Sequence, residues 1–432
     1  MAEIIPFRGI RYNPAKVCSD QVVTKPYDKI SPAEQDAYYA KNPYNIVRII
    51  LGKIHESDTE TDNRYTRAAD FFKKWQDDHI LIREPQPVFY VYDQIFQHKG
   101  YPQMKRRALI GLGKLYEYAD AVIYPHEKTL TGPKKDRLAL LKATEAQFGQ
   151  LFMLYDDPDA VVNRSLDTVS VQEPLYRVTD PDGVVHTIYP VEDGSIIKMI
   201  QTMMANKKLL IADGHHRYET ALNYRNEMRK RYGSSESAPY DYHLMSFVNI
   251  HDPGLLILPT HRMVKNLSET LLRGWLDKAG KWFDINKTSL EKIEEATKNN
   301  SAEPVQIGVY DNAGAAYLLT VKNAGALRAQ METGKPSAWY RLPVTILHDL
   351  ILDKVLGIDQ EKLAMESNVT YVRSVDEGVE LVRAKTHQLG FFVPATPIDK
   401  VMEISFAQIT MPQKSTDFYP KVFTGFAINS LK

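Results

Sequence analysis

The stretch Ile211–Leu222, IADGHHRYETAL, lies where the apolar run KKLLIA gives way to the polar segment HHRYETALNYRNEMRKRY. The composition predicts a short strand, a turn at Asp213-Gly214, and a helix beginning at the histidines. A strand that feeds a helix through glycine is the start of an α/β unit, so this stretch sets the fold class. It is also the densest cluster of reactive side chains in the chain: Asp213, His215, His216 and Arg217 flank one glycine.

Three kinds of chemistry fit such a cluster. For a metal, neighbours on a helix diverge by roughly 100°, so His215 and His216 do not chelate one ion together. Spacing of i, i+4 would pair His215 with Glu219, but no second cluster supplies further ligands. No metal-ligand residues are therefore assigned. For an anion the fit is better. The first N–H groups of a helix lack internal partners and carry partial positive charge. Gly214 lets a ligand approach the backbone, and Arg217 adds a fork of donors. Asp213 has the wrong sign for phosphate, which suits it to Mg²⁺ or to a hydroxyl or amine of a second substrate. The third reading is structural: Asp213 as a helix cap. A cap explains Asp213 and leaves the other residues unexplained.

The 432 residues contain 54 Lys+Arg and 54 Asp+Glu. This even balance argues against a general nucleic-acid partner. The single cysteine, Cys18, excludes an internal disulfide and a cysteine-based zinc site. The N-terminal MAEIIPFRGI lacks the pattern of a secretory signal, and no apolar run approaches the roughly 20 residues of a membrane span. A cytoplasmic protein without a membrane partner is expected; the oligomeric state is open.

Three regions are expected: an N-terminal α+β region over 1–105, a mixed α/β core over 106–265 carrying the turn, and a C-terminal α+β region over 266–432. SPAEQDAYYAKNP predicts a helix capped by Ser31, with Pro32 and Glu34 following. TDNRYTRAADFFKKWQDDH places Tyr65, Ala68, Phe72 and Trp75 on one helical face. Three hairpins are expected: PVFYVYDQIF with RRALIGLGKL, YRVTDPDGVVHTIYP, and VQIGVYDNAGAAYLLTV. PKKDRLALLKATEAQF, SIIKMIQTMMAN and PVTILHDLILDKVLG are expected helices. Lys134, Lys135 and Arg137 begin the first of these and could close over a nucleotide, although a solvated basic turn reads the same. His261 and Arg262, at the end of LPTHR, offer either a second anion contact or an ordinary strand-end pair. PQKST lacks the glycines of a P-loop.

ADGHHRYETAL resembles the signature of a family of unknown function, domain of unknown function 1015. PFRGIRYNP, KPYDKISPAEQ, NPYNIVR, YPHEKTLTGPKKDRLALL, LYDDP, DPGLLILPTHR and MPQKSTDFYPK carry the same resemblance over most of the chain. The Asp-Gly-His-His-Arg segment is in turn similar to that of the free serine kinases, which phosphorylate L-serine with ATP or ADP. Their fold resembles that of ParB and sulfiredoxin. The resemblance implies a ParB/sulfiredoxin-like core in this chain. It makes His215, His216 and Arg217 ligands of nucleotide phosphate, beside the cofactor-binding Gly214 of the turn, and Asp213 a binder of substrate or Mg²⁺. It implies a catalytic glutamate upstream, for which Glu127 in YPHEKT is the candidate. As a carboxylate between His126 and Lys128, Glu127 suits a base that takes a proton from a hydroxyl, though an exposed acid paired with Lys128 reads equally well.

The expected activity is nucleotide-dependent phosphoryl transfer to a small hydroxyl substrate, with free L-serine as the leading acceptor. The competing expectations are a ParB-like nucleotide-binding module or switch without phosphotransfer, and a metal-dependent hydrolase built on His215 and Glu219.

Overall fold

The computed structural model describes residues 2–127, 131–233, 237–301, 303–331, 333–365 and 367–432. Lys128 and the adjoining part of the YPHEKTLTG segment lie outside the described residues. The chain is mixed α/β and divides into two compact units. One holds 2–124, 131–255 and 420–432; the other holds 125–127 and 256–419, among the described residues.

The first unit is built on a nine-stranded sheet. Its strands are β1 (Ile4–Ile5), β2 (Phe89–Phe96), β3 (Met104–Lys114), β4 (Ile123–Tyr124), β5 (Leu151–Tyr155), β6 (Tyr176–Thr179), β7 (Val185–Val191), β8 (Leu209–Asp213) and β9 (Tyr242–Asn249). They lie in the order β4-β8-β5-β9-β3-β2-β7-β6, with β1 added to β3. Two pairs, β8 with β4 and β9 with β5, are parallel. The other pairs are antiparallel. This is the sheet of a mixed fold, with hairpins at one end and crossovers at the other. The hairpins β2–β3 and β6–β7 form where turn residues separate strand-forming runs, and Gly183 closes the second with φ +80°.

Phe89, Val91, Leu109, Leu151, Met153, Leu209, Ile211, Met245 and Phe247 are fully buried in one apolar cluster. The helices α4 (Gly194–Met204) and α5 (His215–Tyr232) add Ile200, Met204, Tyr218 and Ala221 to it. Among the helices that precede them are α1 (Pro32–Lys41), α2 (Arg64–Asp77) and α3 (Thr131–Thr144). The cap of α1 is the expected one. Ser31 Oγ accepts from the Glu34 N–H while the Glu34 carboxylate accepts from the Ser31 N–H. In α2, Ala68, Phe72 and Trp75 are buried as their spacing predicts.

The second unit carries a six-stranded antiparallel sheet. Its strands β10 (His261–Val264), β11 (Phe283–Thr288), β12 (Gln306–Asp311), β13 (Ala316–Val321), β14 (Val369–Val372) and β15 (Leu389–Phe392) run in the order β11-β13-β12-β15-β10-β14. The predicted helix PVTILHDLILDKVLG begins as a short α-turn and continues as a π-helix over Leu347–Val355.

Candidate functional site

The Asp213 turn is made by two local features. Ile211 pairs with Met153 but Asp213 pairs with Phe152, so the register slips by one residue at Ala212. Such a bulge re-aims the side chain that follows it. Gly214 then takes φ +100° and ψ 24°, a left-handed conformation that L side chains rarely adopt. Gly214 itself is the N-cap, and α5 begins with no side-chain cap. The structural reading of Asp213 as the helix cap does not hold: after the bulge its carboxylate turns to cations instead.

Arg217 comes back over the turn that precedes it. Its Nη2 donates to Asp213 Oδ2 at 3.1 Å and its Nη1 to the Gln150 carbonyl at 2.6 Å. Two glycines make room for it. A Cβ on Gly214 would lie 2.9 Å from Arg217 Nη2, and one on Gly149 would lie 3.1 Å from Nη1. The guanidinium is thus fixed against β5 and β8 before any ligand arrives.

Asp213 also meets Lys421, whose Nζ lies 3.8 Å from Oδ1. Burial alone would raise the Asp213 pKa. Lys421, Arg217, Lys29 and His215 outweigh burial and hold the carboxyl down at about 2. Four basic side chains therefore act on one acid just before an 18-residue helix. His215 is buried and His216 is half-buried. Lys29 and Lys421 come from KPYDK and YPK, near the two ends of the chain. Both segments are short and polar, and nothing in their spacing marks Lys29 or Lys421 as a site residue.

Beside Arg217 lies a slot lined by Tyr27, Leu140, Phe148, His243 and Thr424. Arg137 closes one wall: its guanidinium stacks 3.8 Å from the Tyr27 ring centre and donates to the Ile50 carbonyl. His243 Nδ1 bonds the Leu244 carbonyl at 2.8 Å. Burial first, and Arg217 second, lower the His243 pKa to about 4, so its imidazole is neutral. Lys134 is paired with Glu219. Neither Arg137 nor Lys134 is a loose basic group of a solvated turn.

Glu127 belongs to the second unit, in the segment 125–127. It forms a parallel bridge with Met411 and its Oε1 lies 3.6 Å from His126 Nε2. His126 is buried and bonds Thr416 Oγ1 at 2.7 Å. Arg262, expected as either an anion contact or a strand-end pair, is buried. It donates to His348 Nε2 and to the carbonyls of Gln413 and Lys414, so its donors hold the fold together.

For a metal ion, no group of three or more His, Cys, Asp or Glu is placed to hold one, among the described residues. A Mg²⁺ here would depend on the phosphates of a nucleotide, with Asp213 as its one protein carboxylate in the turn.

The fold and the turn together define a mixed α/β protein with a basic, glycine-hinged helix start. The chain belongs to the family described as protein of unknown function (DUF1015), whose model matches residues 4–345. Among curated proteins none matches the chain at a significant level. Three solved structures show distant similarity. A conserved hypothetical protein from Pyrococcus furiosus is 12% identical, with 69% of this chain and 87% of that one covered at a TM-score of 0.35. A free serine kinase variant in complex with AMP is 10% identical, with 69% and 84% covered at a TM-score of 0.36. SbnI from Staphylococcus aureus, with a C-terminal truncation, is 10% identical, with 75% and 89% covered at a TM-score of 0.34. No helix among the described residues is long and apolar enough to cross a membrane.

Proposed function

We propose that the protein is a nucleotide-dependent phosphotransferase acting on a small hydroxyl substrate, with free L-serine as the leading acceptor. The observation that carries this reading is the placement of Arg217 and Lys421 against Asp213 just before the uncapped start of α5, with Lys29 and His215 adding to the positive field there. Phosphoryl transfer depends mainly on positioning and charge neutralisation. A preorganised group of cations at a helix start supplies both. The resemblance of the Asp-Gly-His-His-Arg segment to that of the free serine kinases narrows the anion to the phosphates of ATP or ADP.

In this reading the helix start, Gly214, His215, His216 and Arg217 receive the phosphates. Lys29 and Lys421 complete the positive field. Asp213, ionised throughout the physiological range, orients the acceptor's amine or hydroxyl, or a Mg²⁺ that arrives with the nucleotide. Glu127 is the base assigned by the resemblance.

The test is incubation with a panel of nucleotides and hydroxy amino acids, followed by phosphorus NMR. Phosphoserine formation is the expected result; a nucleotide left intact with every acceptor contradicts phosphotransfer. Glu127→Gln is expected to retain nucleotide binding and lose at least a hundredfold in turnover, the usual scale for a general base. Undiminished turnover in that variant removes Glu127 from the mechanism.

A further inference from the structure

A second cavity lies wholly within the second unit. Its volume is about 540 Å³, within the range of small-molecule sites. The π-helix Leu347–Val355 forms one wall. In a helix with i→i+5 bonds, residues five apart come onto nearly the same side. An ordinary α-helix would turn His348 and Asp353 about 140° apart, at roughly 100° per residue. Both line the cavity.

His348 is 6% exposed, and its Nε2 faces Arg262 Nε at 3.2 Å. Arg262 can only donate, so Nε2 is the acceptor and the ring proton sits on Nδ1. Burial, and then Arg262, hold this imidazole in its neutral form. Among the described residues Nδ1 has no hydrogen-bond partner, and His348 lines the cavity, so this donor is available to whatever fills it.

The rest of the lining has a different character. Trp339 is buried, with its indole N–H donating to Asp349 at 3.2 Å and its face 4.8 Å from Lys335 Nζ. This is a cation–π pair within the protein, and Lys335 lines the cavity beside it. Asp353, Asp359 and Glu361 stand exposed at the rim. These carboxylates do not converge into a metal-binding group, among the described residues. They suit a positive charge carried on an organic chain, at a distance from the His348 end.

We infer that this cavity binds a cationic α-amino acid. Its carboxylate accepts from His348 Nδ1, its methylenes cover Trp339, and its side-chain ammonium or guanidinium reaches Asp353 and Glu361.

Calorimetric titration of the full chain separates the contacts, with L-lysine, norleucine and cadaverine as probes. Norleucine keeps the carboxylate and lacks the distal charge; cadaverine keeps the charges and lacks the carboxylate. Lysine is expected to bind at least tenfold more tightly than either. Asp353→Asn with Glu361→Gln alters exposed side chains only, and should bring lysine down to the norleucine level. The inference is overturned if lysine gives no binding at millimolar concentration, if norleucine or cadaverine binds as well as lysine, or if the double variant keeps its preference for lysine. Nucleotide binding at the Asp213 turn is measured separately, so either result can fail alone.

Discussion

Gly214 shows how much of the turn depends on a missing side chain. Its φ of +100° is costly for any L residue, and a Cβ would also press on Arg217 Nη2 and Leu151 Cδ2, each at 2.9 Å. Gly214→Ala is predicted to destabilise the protein by about 1–3 kcal/mol, measured by denaturant unfolding. It should also weaken anion binding, because Arg217 must move. The five residues from Asp213 to Arg217 were legible because they are contiguous and their types are unusual together. Lys29 and Lys421 were not. They reach Asp213 only through tertiary folding, and a lysine in a polar loop looks like any solvated charge. The role of Asp213 was open between cap and ligand because a sequence does not reveal a bulge. One extra residue at Ala212 removes the carboxylate from the cap position and leaves it among cations.

At the scale of elements, local chemistry was a good guide where one short motif decides the outcome. The Ser31 box starts α1 as expected. Ser31→Ala removes a reciprocal pair of hydrogen bonds and should cost about 1 kcal/mol in urea unfolding, with little effect on nucleotide binding. The hairpins β2–β3, β6–β7 and β12–β13 follow from turn residues between alternating strands. The start of α5 was also legible, since its first residue is His215. The π-helix was not. PVTILHDLILDKVLG has ordinary helical periodicity, and nothing in its composition favours i→i+5 bonds. The winding changes which side His348 and Asp353 occupy, so the cavity they line had no sequence signature.

For the whole molecule, the division into units follows no boundary visible in composition. The segment 125–127 packs with residues far along the chain, and 420–432 returns to the first unit. That return brings Lys421 to Asp213, so the proposed anion site draws on segments far apart in the sequence. The buried histidines set a pH dependence. His243, near pKa 4, and His261, near 3, are held neutral by burial, with Arg217 and Arg262 respectively adding to the effect. In the unfolded chain both titrate near 6.5, so the unfolded state binds more protons below that pH. Stability should be full above about pH 6.5 and fall as the pH drops toward the folded values. The loss is about 2 kcal/mol per histidine between pH 6.5 and 5. Urea unfolding at pH 7 and pH 5 measures it, and His243→Asn should shrink the difference. A variant with the wild-type pH dependence would contradict this assignment.

The central claim is that the basic turn at the start of α5 holds the phosphates of a nucleotide. Calorimetric titration of ADP into the wild type, Arg217→Ala, and a Lys29→Ala with Lys421→Ala variant tests it most directly. The wild type should bind, with affinity that falls as salt is raised. Arg217→Ala should lose binding, and the double lysine variant should bind at least tenfold more weakly with a shallower salt dependence. ADP bound equally by all three proteins would contradict the claim.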